Sequence, residues 1–347
     1  MKRIYPLQLL ILIVISALVS CSSPNHETKA TETQFPTNIP TTTTVPSPTP
    51  FTKTGTPTPT LPPSWYPRSY YIDLPPGEYL SYVPKNDKGY KVISLDGQYQ
   101  AAFYKNLTED LSYDGKRVIS TGRGENRNII QIFDLVKGEY IEEITLPDCL
   151  WFYSWSPDEK NFAGPCRGGA AISIYFSESE TLVNLNVLNA SEQEMISLLF
   201  PIWSPDGEWI AYYRHNLSVP IFTDPNDGVY ITNTICLEEP TSCYEHTTGP
   251  ILPFRNQYKV VWSPNSRYLA MLSGLNKIYI YDFVEQEAMI AVDGLENLNG
   301  LTWSYDSTRI FFSQKYDIYM LRLGEEEPVL IKADIGHVHA YLEISEP

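Results

Sequence analysis

The chain has 347 residues, with 25 Lys and Arg against 41 Asp and Glu, for a formal charge of −16. That length suffices for one large domain with a substantial core plus accessory segments. The acidic balance excludes non-specific nucleic-acid binding, which depends on a cationic surface.

In chain order, Lys2 and Arg3 form a short positive start, and an apolar run follows from Leu9 to Val19, broken only by Ser16. The run is too short to span a ~30 Å hydrocarbon core and fits the apolar region of a secretory signal. It ends in Leu18-Val19-Ser20-Cys21, which resembles a lipobox, the bacterial lipoprotein cleavage and acylation signal. The resemblance implies that residues 1–20 are a signal peptide, that Cys21 is lipidated, and that the chain meets a membrane through it. Several acyl chains anchor stably where one does not.

Composition then changes abruptly. Between Ser22 and Ser64, 14 Thr and 10 Pro account for more than half of 43 residues, and the apolar residues stand alone. Such a segment buries too little apolar surface to offset its ordering entropy, so residues 21–64 are expected to form a disordered linker. Proline biases it towards an extended form at ~3.1 Å per residue, long enough to hold a domain clear of a membrane.

The remainder, residues 65–347, is repetitive. Trp155-Ser156-Pro157-Asp158, Trp203-Ser204-Pro205-Asp206-Gly207, Trp262-Ser263-Pro264-Asn265 and Trp303-Ser304-Tyr305-Asp306 are clear copies of one motif. Leu111-Ser112-Tyr113-Asp114-Gly115 is a weaker copy, and Leu74-Pro75-Pro76-Gly77 a degenerate one. Pro presets φ at the second turn position, Asp suits the third and Gly accepts positive φ at the fourth, so the motif is a type I hairpin turn. Alternating strands follow at Tyr79, Arg117, Asn161, Trp209, Tyr268 and Arg309, and further strands open near Tyr90, Ile129, Val229, Lys277 and Ile318. Four strands per unit, with turns 38 to 59 residues apart, predict an all-β fold with propeller blades. Six copies predict a six-bladed β-propeller, with seven blades the alternative. The strand-like tail, His337 to Ser345, is expected to pair with the first blade and close the ring.

These Trp-Ser-Pro-Asp-Gly repeats resemble those of the TolB-type propellers, also found in the N-terminal propellers of prolyl-oligopeptidase-like peptidases. The resemblance covers about 270 residues and speaks for fold rather than function, since propellers host many activities.

Four cysteines follow Cys21, an even number suited to an oxidising compartment. Antiparallel pairing about Pro157-Asp158 sets Cys149 opposite Cys166, and Cys236 and Cys243 flank Glu239-Pro240 symmetrically. The expected disulfides are therefore Cys149–Cys166 and Cys236–Cys243, each stapling a local hairpin. The spacings do not match a zinc site.

No Gly-x-Ser-x-Gly elbow occurs, and no hydrolase domain is expected after the propeller. His337-x-His339 could place two rings on one strand face, although no motif supplies a carboxylate. Asp224-Pro225-Asn226-Asp227-Gly228 lacks the ligand order and closing Glu of a calcium loop, and is expected to be a plain turn. No cofactor is expected.

Subtracting the four basic and two acidic residues of 1–64 leaves the propeller at a formal −18, yet one end concentrates cations. The connections between second and third strands carry Lys85, Lys88, Arg123, Arg127, Arg167, Arg214, His215, Lys277 and Lys315, against Asp87, Glu125, Asp224 and Asp227. Arg123, Arg127, Arg167, Arg214 and His215 are the candidate ligand-binding residues. Arginines grip carboxylates bidentately, so an anionic peptide, a polysaccharide or an envelope protein is the candidate partner. The leading expectation is a binding or scaffolding module rather than an enzyme. The alternative is a glycan-active or metal-dependent enzyme whose site lies in the central channel, where residues from separate blades converge without a linear motif.

Overall fold

Ser204 shows why the repeated motif turns the chain. Its Oγ donates to Asp206 Oδ1 at 2.5 Å and accepts the Trp209 N–H at 2.9 Å, while Asp206 Oδ1 accepts the Glu208 N–H at 3.0 Å. The Gly207 N–H closes the turn on the Ser204 carbonyl at 2.9 Å, and Gly207 takes φ +77°. Ser156 with Asp158, Ser263 with Asn265, and Ser304 with Asp306 repeat this wiring.

At the fourth position three copies lack glycine. Glu159, Ser266 and Ser307 hold φ of 59°, 58° and 59° there, a conformation costing ~1–2 kcal/mol for an L-residue. Each accepts a hydrogen bond from the preceding repeat. Ser307 Oγ accepts the Asn265 N–H at 3.1 Å, Ser266 Oγ accepts the Asp206 N–H at 2.9 Å, and Glu159 Oε2 accepts Arg117 Nη2 at 2.7 Å. The turn residue that bends one blade therefore also holds its neighbour.

The computed structural model describes residues 75–86, 91–102, 117–121, 129–134, 139–146, 149, 154–188, 196–220, 223–253, 259–274 and 276–344. The lipobox with Cys21, the Thr/Pro linker, the 111–115 repeat copy, Lys88, Arg123 and Arg127 lie outside the described residues. Blade one contains β1 (Gly77–Pro84), β2 (Lys91–Ser94) and β3 (Gln100–Ala102); blade two contains β4 (Arg117–Thr121), β5 (Ile129–Asp134) and β6 (Glu139–Thr145). Blade three is β7 (Ser154–Trp155), β8 (Asn161–Cys166), β9 (Ala171–Phe176) and β10 (Thr181–Leu185). Blade four is β11 (Ile196–Trp203), β12 (Trp209–Asn216), β13 (Gly228–Asn233) and β14 (Thr247–Pro253). Blade five is β15 (Lys259–Trp262), β16 (Tyr268–Ser273), β17 (Lys277–Asp282) and β18 (Glu287–Val292). Blade six is β19 (Leu298–Trp303), β20 (Arg309–Gln314), β21 (Asp317–Arg322) and β22 (Val329–Lys332), and β23 (Gly336–Ile344) ends the series.

Every sheet is an antiparallel meander. Five sheets have four strands and that of blade two has three among the described residues. β23 pairs with β1 to give the order β23-β1-β2-β3, so the last strand is the innermost strand of the first blade. This closes a six-bladed β-propeller whose innermost strands surround a central channel.

The apolar core is divided into wedges between blades. Along β12, Ile210 and Tyr212 pack towards blade three, while Ala211 and Tyr213 pack towards blade five. Along β16, Leu269 and Met271 face blade four, while Ala270 and Leu272 face blade six. A strand covered on both faces is apolar at successive positions, which is why these segments are nearly uninterrupted hydrophobic runs. The motif tryptophans add a polar tie. Trp262 Nε1 donates to the Ile202 carbonyl at 3.3 Å, and Trp303 Nε1 to that of Val261 at 3.2 Å, each reaching the inner strand of the preceding blade.

Both expected disulfides form. Two details of the sequence reading change. Ser154 pairs with Ala163 and Trp155 with Phe162, so the hairpin centre lies one residue beyond Pro157-Asp158. Cys149 still bridges to Cys166, two residues off that register. Cys236–Cys243 does not staple a β-hairpin. It joins two short 3-10 turns, Thr234–Glu238 and Pro240–His246, where Asn233 Oδ1 caps the Ile235 N–H at 2.9 Å and Pro240 opens the second turn.

Ser307→Ala loses the inter-blade hydrogen bond and keeps the left-handed backbone, and is expected to destabilise by about 1–2 kcal/mol in chemical denaturation. Ser307→Gly loses the same bond but relieves the backbone cost, and is expected to fall within about 1 kcal/mol of wild type. Arg309 of blade six grips Glu78 of blade one, and this hydrogen bond holds the Glu78 carboxyl below its ordinary value of 4.5. Its stabilisation is complete above 4.5 and disappears as pH falls through the lower folded value. Glu78→Gln should therefore destabilise at neutral pH, with the deficit narrowing below pH 4.5 in acid-denaturation curves.

Candidate functional site

The Ser-Pro-Asp-Gly turns join first and second strands at one end of the ring, so the connections between second and third strands emerge at the opposite end. Two of the cations expected there are paired: Lys85 Nζ lies 2.8 Å from Asp334 Oδ1, and Lys277 Nζ 2.7 Å from Asp293 Oδ2. Arg167 is exposed, at φ +54°, in a 3-10 turn (Arg167–Gly169) between β8 and β9 that packs against β11.

Arg214 and His215 point into their own blade. Arg214 is 4% exposed; its Nη1 donates to the Asn226 carbonyl at 3.0 Å and its guanidinium lies over the Tyr230 ring at 5.7 Å. His215 Nδ1 is 2.7 Å from Asp227 Oδ2, and Asp227 Oδ1 accepts the Asn216 N–H at 2.7 Å. Asn216 Nδ2 donates to Asp224 Oδ2 at 2.6 Å, and Asp224 Oδ1 accepts the Asn226 N–H at 2.8 Å. The Asn226 N–H, with help from Asn216, holds the Asp224 carboxyl below the usual carboxylate range.

These bonds brace the described residues of the connection between β12 and β13, 217–220 and 223–227. Its rising arm presents Leu217 and Val219, which are 54% and 36% exposed, above a charged and largely buried base. The carboxylates of Asp224 and Asp227 are occupied by protein donors, consistent with a turn. Counted by sequence as a charge that offsets the cations, Asp227 is in fact the node of the brace; an Asp immediately before the first residue of β13 was the available signal.

The two tail histidines go to different places. His337 packs on Tyr316 with ring centroids 5.1 Å apart, whereas the His339 carbonyl accepts a hydrogen bond from Lys259 Nζ at 3.0 Å. A bulge at His339 interrupts the alternation between them, since Ser81 pairs with Ala340 and Tyr82 with Val338. Among the described residues no three His, Cys, Asp or Glu side chains are grouped to hold a metal ion.

The fold and this end of it define the class: a closed propeller with one end tied by turns and the other free to carry loops. Neither a protein-family model nor a curated protein sequence matches the chain. Among solved structures it is similar to TolB from Acinetobacter baumannii, with 12% identity and a TM-score of 0.52 over 76% of this chain; the match spans 66% of that chain, less than two thirds of its length. It is also similar to the β-propeller domain of Cps50 (Swd1) from Myceliophteria thermophila, with 12% identity and a TM-score of 0.50 over 75% of this chain and 88% of that one. Likeness at this identity is likeness of fold.

Asp227→Ala removes charge-assisted hydrogen bonds to His215 and Asn216, each worth about 1.5–3 kcal/mol. Loss of stability of that order is expected, with new proteolytic cleavage within 217–227. Arg214→Ala should likewise lower the unfolding midpoint.

Proposed function

We propose that the chain is an extracytoplasmic binding module, anchored by lipidated Cys21 and held away from a bacterial membrane by its Thr/Pro linker. The observation that carries the binding role is the braced projection of blade four. A rigid base that presents exposed apolar side chains, at the end of the ring that also carries the exposed Arg167 of the adjacent blade, is a docking geometry, since function concentrates on loops placed by a rigid scaffold. The two disulfides support an oxidising compartment. The resemblance of the repeats to TolB-type propellers supports an envelope location. The partner is an anionic peptide, polysaccharide or envelope protein, met by Arg167 together with Arg123 and Arg127, which sequence places on the same end. Arg214 and His215 serve this surface by bracing the loop.

The test is capture of envelope components by the full chain at low and high salt. The expected result is a salt-sensitive partner, lost when Arg123, Arg127 and Arg167 are replaced by Ala together with Leu217→Ser and Val219→Ser. Capture of the same partner by that variant would overturn the reading. Separately, Cys21→Ala should move the protein from the membrane fraction to the soluble one.

A further inference from the structure

Among the described residues, every blade ends in an outer strand with no further strand beyond it. Such an edge offers unpaired backbone groups, and natural sheets guard it with proline, charge, brevity or a covering segment. The outer strands here follow that rule with one exception. β3 has three residues and β22 four, β14 carries Pro250 and Pro253, and β6 exposes Glu139, Glu142 and Glu143. Just past β10, the 3-10 turns of blade four reach across: Asn186 donates its N–H to the Pro240 carbonyl at 2.9 Å and its Nδ2 to that of Thr241 at 3.0 Å. β18 has six residues and exposes Ala288, Met289 and Ile290 in succession, with neither proline nor lysine; its one charge, Glu287, is its first residue.

The unguarded strand borders an apolar groove. Met289 pairs with Ile280, and Leu330 of β22 pairs with Tyr319. Residues paired across strands share a face of their sheet, and Ile280 and Tyr319 both pack in the wedge between blades five and six. Met289 and Leu330 therefore line the outer mouth of that wedge from opposite sides, 48% and 49% exposed, above the half-buried Tyr319 and Leu323. The wedge between blades three and four is built alike but closed, because the disulfide-linked turns pack Cys236, Cys243 and Leu237 onto its apolar cluster. Between blades five and six the corresponding connection, 283–286, is too short to do this, and no described segment covers the mouth.

The rim of this groove at the turn end is acidic. Glu285 and Glu287 lie at the start of β18, and Glu325, Glu326 and Glu327 precede β22, all of them exposed. Arg267 Nη2 lies 3.9 Å from Glu285 Oε1, and Arg322 Nε 3.6 Å from Glu325 Oε1. Glu287, Glu326 and Glu327 face no cation within ion-pair range among the described residues. A second copy of the chain would bring acid against acid here, and like charges opposed across strands repel. A basic occupant is complementary.

We propose that the outer groove between blades five and six is a docking site for an extended segment of a partner protein, apolar at alternate positions and flanked by Lys or Arg. The segment adds to the edge of β18, seats apolar side chains on Met289 and Leu330, and sets its cations against Glu287, Glu326 and Glu327. This site is separate from the loop end, takes a partner of opposite charge, and does not depend on the binding role assigned there.

The experiment measures the fluorescence anisotropy of two labelled synthetic peptides with the full chain. Both alternate Val and Thr; one is flanked by Lys and the other by Glu. The expected result is binding of the Lys-flanked peptide, weakened by salt, and at least about tenfold weaker binding of the Glu-flanked one. Met289→Ser with Leu330→Ser should weaken the Lys-flanked peptide about tenfold and leave the unfolding midpoint unchanged, because both side chains are already half exposed. Glu287→Lys with Glu326→Lys and Glu327→Lys should reverse the preference between the peptides. Equal binding of the two peptides, no binding of the Lys-flanked one, or unchanged binding by the Ser variant would each overturn the proposal. So would a dimer in analytical ultracentrifugation that the Ser variant dissolves, which would give the groove to a second copy.

Discussion

Each blade is a sheet that is apolar on both faces, and only its two neighbours cover those faces. The first and last blades must therefore meet, or one wedge of core opens to water. β23 meets this constraint by pairing with β1 across 259 residues of chain, and Arg309 with Glu78 ties the same junction from the turn end. Closure also removes the inner sheet edge that would otherwise offer unpaired backbone groups. The channel, the stacked turns and the projecting loop all depend on that ring being complete.

The two ends of the ring are built on different principles. At the turn end, serine, aspartate and arginine side chains link consecutive repeats, and backbone strain at Glu159, Ser266 and Ser307 is offset by contacts to the preceding blade. Little freedom is left there for substitution. At the loop end the connections differ in length from blade to blade, and the longest described one is stiffened from beneath by Arg214, His215 and Asp227. Rigidity at one end supports variety at the other, an arrangement suited to recognition.

Much of the architecture is legible in the residues. The turn motif locates the second strand of the blades because it is a local property, whereas the alternation expected after it gives way to continuous apolar runs, because neighbouring blades cover both faces. Symmetry about the hairpins identifies both disulfides, although the register around Cys149 and the 3-10 turns around Cys236 depend on packing that local arithmetic does not contain. Ser94-Leu95-Asp96-Gly97 shows the opposite failure. It makes the same bonded turn, with Ser94 Oγ accepting the Tyr99 N–H at 2.9 Å, but between β2 and β3, where it does not mark the start of a blade. The inward turn of Arg214 is not visible in sequence, because it depends on a carbonyl twelve residues away.

The ring's seam also sets the order of its assembly. Synthesis delivers β1 early and its partner β23 last, so the first blade waits unfinished while five others form. Contacts this distant in sequence are slow to establish, because the loop entropy is lost before the pairing repays it. Until the final nine-residue strand docks, β1 keeps an open edge and the apolar surface of blade six stays uncovered. The nascent chain is thus held back from its finished form by its own topology, and remains threadable for as long as its last strand is missing.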